Sequence, residues 1–241
     1  MSMKDVGRGA LFFAILFGVR NPAAAEWPAV DTAYSVAVVS DYLFRGVSQS
    51  RGKAAVQGSV DISHASGIYG SLWASTVDFT ADGSPPDGAD LEVDLYLGVR
   101  FDVGSNVAGD ISWVQYRYPG TYQGIDYDYS EWLATVYLGE RISMAAGYSN
   151  DVFNSDKSGW YAEAGFHQSL PRELSLALTM GHYELDQALG DSYQYGSLTL
   201  AGRIQQLNWT LGFTTTAGAE LFDPATTGSR WSAAVRVDFG E

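Results

Sequence analysis

Leu91-Glu92-Val93-Asp94-Leu95-Tyr96-Leu97-Gly98-Val99-Arg100-Phe101 alternates between apolar and polar or small residues without a break. Leu91, Val93, Leu95, Leu97, Val99 and Phe101 fall on one face, and Glu92, Asp94, Tyr96, Gly98 and Arg100 on the other. A period of two marks a β-strand, because successive side chains of an extended chain point to opposite sides. The length matches the roughly 9–11 residues with which a tilted strand crosses a bilayer, whereas strands of soluble proteins usually have about five or six.

Working outward from this segment, the same test marks eleven more strands: 32–45, 54–64, 67–79, 107–118, 127–139, 141–150, 159–169, 173–185, 193–204, 207–216 and 230–239. The 107–118 segment is the least regular, which fits a bulge. Short links near 65–66, 103–106, 139–141, 170–173 and 204–207 alternate with long ones near 46–53, 80–90, 119–126, 150–158, 186–192 and 217–229. Tight turns at one end and long loops at the other are the asymmetry of bacterial outer-membrane barrels. The expectation is an all-β, transmembrane, antiparallel up-and-down barrel of about twelve strands, with both termini at the short-turn, periplasmic end.

Aromatic residues support that reading. Phe44, Tyr148, Trp160 and Trp231 are placed at the outer rim, and Phe101, Phe166, Trp209 and Phe239 at the inner one. Trp231 and Phe239 are about 26 Å apart along a strand, or about 20 Å in height at a tilt of ~40°, close to the apolar band of such barrels. The competing fold is a soluble β-sandwich or calycin-like barrel, in which the apolar faces point inward. Alternation alone does not exclude it.

The N-terminus sets the compartment. Lys4 and Arg8 precede an apolar run, Ala10 to Val19, which ends at Asn21-Pro22 and is followed by Ala23-Ala24-Ala25 before Glu26. That order is a secretory signal peptide cleaved after Ala25, since the run falls far short of the roughly 20 apolar residues of a spanning helix. The domains are therefore a signal peptide, 1–25, and one barrel domain, 26–241. Cleavage removes three basic side chains and one acidic one, so the formal net charge goes from −14 to −16. So acidic a chain, with its basic residues scattered singly, does not bind nucleic acid. With no cysteine, disulfides, thiolate metal sites and a lipidated cysteine are all excluded.

Ser40-Asp41-Tyr42-Leu43-Phe44-Arg45-Gly46-Val47-Ser48-Gln49-Ser50, followed by Ala55-Val56-Gln57-Gly58 and Gly67-Ile68-Tyr69-Gly70-Ser71-Leu72-Trp73-Ala74-Ser75, resembles the TorF-type porins, also labelled the Gcw_chp family. Leu91 to Gly98, Tyr118-Pro119-Gly120 and Glu131 extend the resemblance over most of the mature chain. It implies an outer-membrane barrel with a transport role in a Gram-negative bacterium, and no catalytic residues. One departure is the C-terminus, where Gly240 and Glu241 follow Phe239 in place of the terminal aromatic residue usual in such barrels.

With the apolar faces in lipid, the opposite faces line the lumen. The ionisable residues assigned there are Asp41, Arg45, Glu92, Asp94, Arg100, Glu131, Glu163, Arg203, Arg236 and Asp238. They form either a polar conduit that selects solutes or a set of charge pairs that plugs a narrow lumen. Small inner residues, among them Ser71, Gly98, Ala145, Gly147 and Gly165, leave room and favour the conduit, and the acidic excess favours cations. The expected function is passive diffusion of small polar solutes or ions. The alternatives are a structural or adhesin-like barrel with a plugged lumen, and a barrel-wall hydrolase. For the last, His167 shares an inward face with Glu163, without a serine or metal partner. No catalytic, cofactor-binding or metal-binding residue is assigned. The expected partners are outer-membrane lipid, lipopolysaccharide and the barrel-assembly machinery; Asp82, Asp87 and Asp90 could hold divalent cations that bridge the lipopolysaccharide.

Overall fold

The computed structural model describes residues 30–239, apart from 82, 123 and 221. The expected signal peptide, Asp82 and the C-terminal Gly240 and Glu241 lie outside the described residues.

Twelve strands close into an antiparallel barrel in which chain neighbours pair and the last strand returns to the first. They are β1 (Val30–Val39), β4 (Ala55–His64), β5 (Ile68–Thr76), β6 (Leu91–Asp102), β7 (Val107–Arg117), β8 (Tyr129–Leu138), β9 (Ile142–Ser149), β10 (Gly159–Leu170), β11 (Leu174–Leu185), β12 (Asp191–Ile204), β13 (Leu207–Ala217) and β14 (Arg230–Phe239). Closure is made by β1 against β14, with Tyr34 opposite Phe239 and Val39 opposite Ala234. Closure removes the unpaired edges that an open sheet would present, which is what permits strands to sit in lipid. The soluble alternative fails on the direction of the faces: Val36, Leu72, Leu95, Leu97, Leu178, Leu198 and Leu211 are exposed on the outside, not packed inside.

Tight turns join the strands at one end, as expected. At the first of them Gly67 has φ +90°, and a Cβ there would lie 2.0 Å from the Arg100 carbonyl oxygen, so the turn requires glycine. The long connections gather at the other end.

One expected strand is corrected. The 32–45 segment leaves the wall after Val39, where the Ser40 side chain accepts the Ala233 N–H at 2.9 Å in place of a further backbone carbonyl. The chain then turns into the lumen as a small hairpin of β2 (Leu43–Phe44) and β3 (Val47–Ser48). Phe44 is accordingly not part of an outer aromatic belt; it packs inside, edge-on to Tyr116 at 5.9 Å. Tyr148, Trp160, Trp231, Phe101, Phe166 and Phe239 are exposed on the outer surface, where the belts were expected.

The core lies inside the barrel at the long-loop end. Its buried members include Tyr42, Val47, Val114, Tyr116, Tyr118, Tyr129, Tyr161, Tyr183, Tyr193 and Tyr195. Here the expectation that small inner residues leave open space is also corrected. Tyr69 lies opposite Gly98, Tyr161 opposite Gly147 and Tyr195 opposite Gly181. Each ring covers its glycine so closely that a Cβ would come within 2.5, 2.2 and 2.3 Å of it respectively. The glycines are seats for tyrosines of the neighbouring strand, a cross-strand pairing that fills volume.

Candidate functional site

The site is the hairpin and the wall around it. Gly46, at its tip, has φ +86°, and a Cβ there would meet the Tyr195 Cβ at 2.6 Å, so the turn is both left-handed and pressed against the wall. Asp41 fastens the base. Its Oδ1 accepts the Ser48 hydroxyl, the Ser50 hydroxyl at 3.2 Å and the Gly52 N–H at 3.2 Å, while Oδ2 accepts Nη1 of Arg230 at 2.9 Å. Arg230 opens β14, so this bond ties the hairpin to the strand that closes the barrel.

Arg45 fastens the tip. Its Nη1 and Nη2 donate to Oε1 and Oε2 of Glu131 at 2.8 and 2.6 Å, a bidentate pair. The Tyr183 and Tyr116 hydroxyls donate to the same two oxygens, each at 3.2 Å. The guanidinium carbon lies 3.6 Å from the centre of the Tyr161 ring, with Phe44 at 4.5 Å and Tyr183 at 4.7 Å. Arg45 is 9% exposed and Glu131 1%. Tyr42, Leu43, Val47, Ser48 and Ser50 of the hairpin are buried inside the barrel as well.

A second loop braces the hairpin from above. Thr226 accepts the Ser48 N–H at 2.8 Å through its carbonyl, Asp223 pairs with Arg51 at 2.5 Å, and Phe222 packs on Tyr193 with ring centres 5.2 Å apart. The Arg51 hydrogen bond holds the Asp223 carboxyl below the usual range. A collar of rings runs on through Tyr129, stacked on Tyr116 at 4.5 Å, and Phe153, 5.1 Å from Tyr129.

The structure brings together Asp41, Arg45 and Glu131 from the residues assigned to the lumen, with Asp41 and Arg45 on the hairpin and not on the wall. Glu92 and Asp94 lie close by on β6, each 2% exposed. Glu92 accepts the Tyr118 hydroxyl at 2.9 Å and Asp94 that of Tyr96 at 3.3 Å. Glu163 accepts from Tyr195 at 2.8 Å. Arg100 pairs with Asp110 at 2.9 Å in the lower half. Arg203, Arg236 and Asp238 stand apart at the short-turn mouth, where Arg236 and Asp238 pair at 2.5 Å and Arg203 donates to the Gln205 carbonyl.

Three charged residues of the interior were missed. Asp110 is the cross-strand partner of Arg100; Asp61 accepts from Ser59 at 2.8 Å and Ser71 at 2.5 Å; Arg230 holds Asp41. Strand parity places Asp61 with Gln57 and Ser59 on the inner face, so that signal was present in the sequence. Among the described residues His167 makes no hydrogen bond to Glu163; its Nε2 is without a partner. The Asp87 carboxylate accepts the Ala89 N–H at 3.0 Å and the Tyr127 hydroxyl at 3.1 Å, and no cluster of three metal-ligating side chains occurs among the described residues.

Solved structures share the barrel. The KdgM porin is similar over 87% of this chain and 99% of its own, with a TM-score of 0.52 and 6% identity, and a KdgM porin in complex with disordered oligogalacturonate gives a TM-score of 0.51 over the same shares at 6% identity. The COG4313 outer-membrane channel from Pseudomonas putida F1 covers 92% of this chain and 100% of its own, with a TM-score of 0.54 and 13% identity. At such identities the likeness is one of fold. No curated protein matches by sequence. The model of a family described as a bacterial protein of unknown function, Gcw_chp, matches residues 23–230, and the chain belongs to that family.

Proposed function

We propose that the protein is an outer-membrane channel for small polar solutes, exported by its signal peptide and closed in the state described by its own hairpin. The observation that carries this reading is how the hairpin is held. A permanent plug is most simply made of apolar side chains; this one is fastened by a buried ion pair, Arg45–Glu131, and a part-buried one, Asp41–Arg230, and desolvation offsets much of the attraction in the first. Such contacts suit an element that seats in one position and can be exchanged for other polar partners. Barrels of the same fold include a porin and an outer-membrane channel. An excess of inner carboxylates favours cations: Asp61, Glu92, Asp94 and Glu163 have no ion-pair partner among the described residues.

A second reading, a structural barrel with a permanently filled lumen, draws support from the tyrosines seated on Gly98, Gly147 and Gly181. Planar-bilayer conductance separates the two. The wild type is expected to be mostly silent, and a variant with residues 42–50 replaced by a short turn is expected to give discrete, cation-preferring steps. A shortened variant that inserts but stays silent would transfer the case to the structural barrel.

A further inference from the structure

The groups that hold the Arg45 guanidinium belong almost entirely to the wall. Glu131 comes from β8, Tyr116 from β7, Tyr161 from β10 and Tyr183 from β11; Phe44 alone comes from the hairpin. Each part is specific for a planar fork. The carboxylate meets both terminal nitrogens, two phenols fix its orientation by donating to the same oxygens, and the Tyr161 face lies 3.6 Å from the guanidinium carbon. When the hairpin leaves, the wall therefore keeps a nearly complete receptor for a group it no longer contains.

We propose that this receptor is a solute site: a solute bearing a guanidinium group replaces Arg45 on Glu131 and in doing so frees the hairpin. Arg45 is then a built-in competitor of the solute. The inference rests on the channel reading and gives it a solute class. A second observation points the same way. On β6, one strand beyond Tyr116, Glu92 and Asp94 are buried, and Oε2 of the first and Oδ1 of the second have no hydrogen-bond partner. A buried carboxylate oxygen without a partner is costly, and a second positive group on the solute, such as an amine, would satisfy both. An anionic solute would meet only repulsion there.

The test uses the full mature chain, with methylguanidinium as probe and methylammonium as the control of equal charge. Thermal unfolding in detergent reads the receptor. Arg45→Ala, and Arg45→Lys as a milder second variant, should melt lower than the wild type. Methylguanidinium should raise their melting temperature at a concentration about tenfold below that at which methylammonium does, since only a fork is held bidentately. Adding Glu131→Gln should abolish the difference. Equal responses to the two cations would overturn the receptor, whatever the conductance.

Bilayer recording reads the release. Methylguanidinium should raise the open probability of the wild type and methylammonium should not. A wild type that stays silent while Arg45→Ala conducts would overturn displacement by solute and leave the channel standing. Silence of every variant, the shortened hairpin included, would remove the channel reading and with it the solute role. The melting experiment would still report on the receptor by itself.

Discussion

Glu131 receives four hydrogen bonds on two oxygens, which saturates its acceptor capacity. Removing Arg45 alone leaves that carboxylate buried with only phenols, so Arg45→Ala should destabilise the barrel by about 3–5 kcal/mol. Replacing both partners by apolar residues of similar size, Arg45→Met with Glu131→Leu, should cost less than either single change, because no charge is then stranded. Denaturant unfolding of the three variants checks this, and simple additivity of the two singles would remove the pair as a coupled unit.

Between strands, the hold on Arg45 depends on a glycine one strand away from the ring that carries it. Gly147 on β9 seats the ring of Tyr161 on β10, and that ring lies under Arg45. Gly147→Ala pushes the ring off its seat and should destabilise by about 1–3 kcal/mol, the usual cost of overpacking; the same variant should raise open probability in bilayers, which a substitution felt only locally would not do. The brace from above has its own signature. Because the folded-state carboxyl of Asp223 titrates below its ordinary value, the Arg51–Asp223 tie contributes fully above about pH 4 and is lost as pH falls below that. The protection factor of the Ser48 amide, which donates to the Thr226 carbonyl, should therefore fall on acidification once the intrinsic pH dependence of exchange is divided out, and Asp223→Asn should show the lower protection already at neutral pH. The wall elements were legible because a two-residue period assigns every side chain to a face. The hairpin was not, since apolar residues continue at Tyr42 and Phe44 in the same parity as Val36 and Val38. What turns the chain inward is the pairing of Asp41 with Arg230 and of Arg45 with Glu131, partners 189 and 86 residues away that no local pattern reveals. The tyrosine seats were hidden for a related reason: parity puts Gly147 on the inner face, but only the strand register says that Tyr161 covers it.

For the whole molecule, the decisive physical claim is that the outer face meets lipid. Depth separates lipid from water more cleanly than exposure does. Leu207 and Leu211 lie on the same outer face of β13, both exposed, the first beside a tight turn and the second near the middle of the strand. In a soluble barrel, arginine at either position would be solvated and nearly neutral. In a bilayer the change costs about 2–4 kcal/mol at the midplane and about 0–1 near the interface. Leu211→Arg should thus sharply reduce spontaneous folding into lipid vesicles, while Leu207→Arg folds almost as the wild type does. Both variants should fold alike in detergent, whose micelle adapts around a single charge more readily than a bilayer. Equal folding of the two in vesicles would mean that β13 does not span the membrane, and the lumen would then be the interior of a soluble barrel.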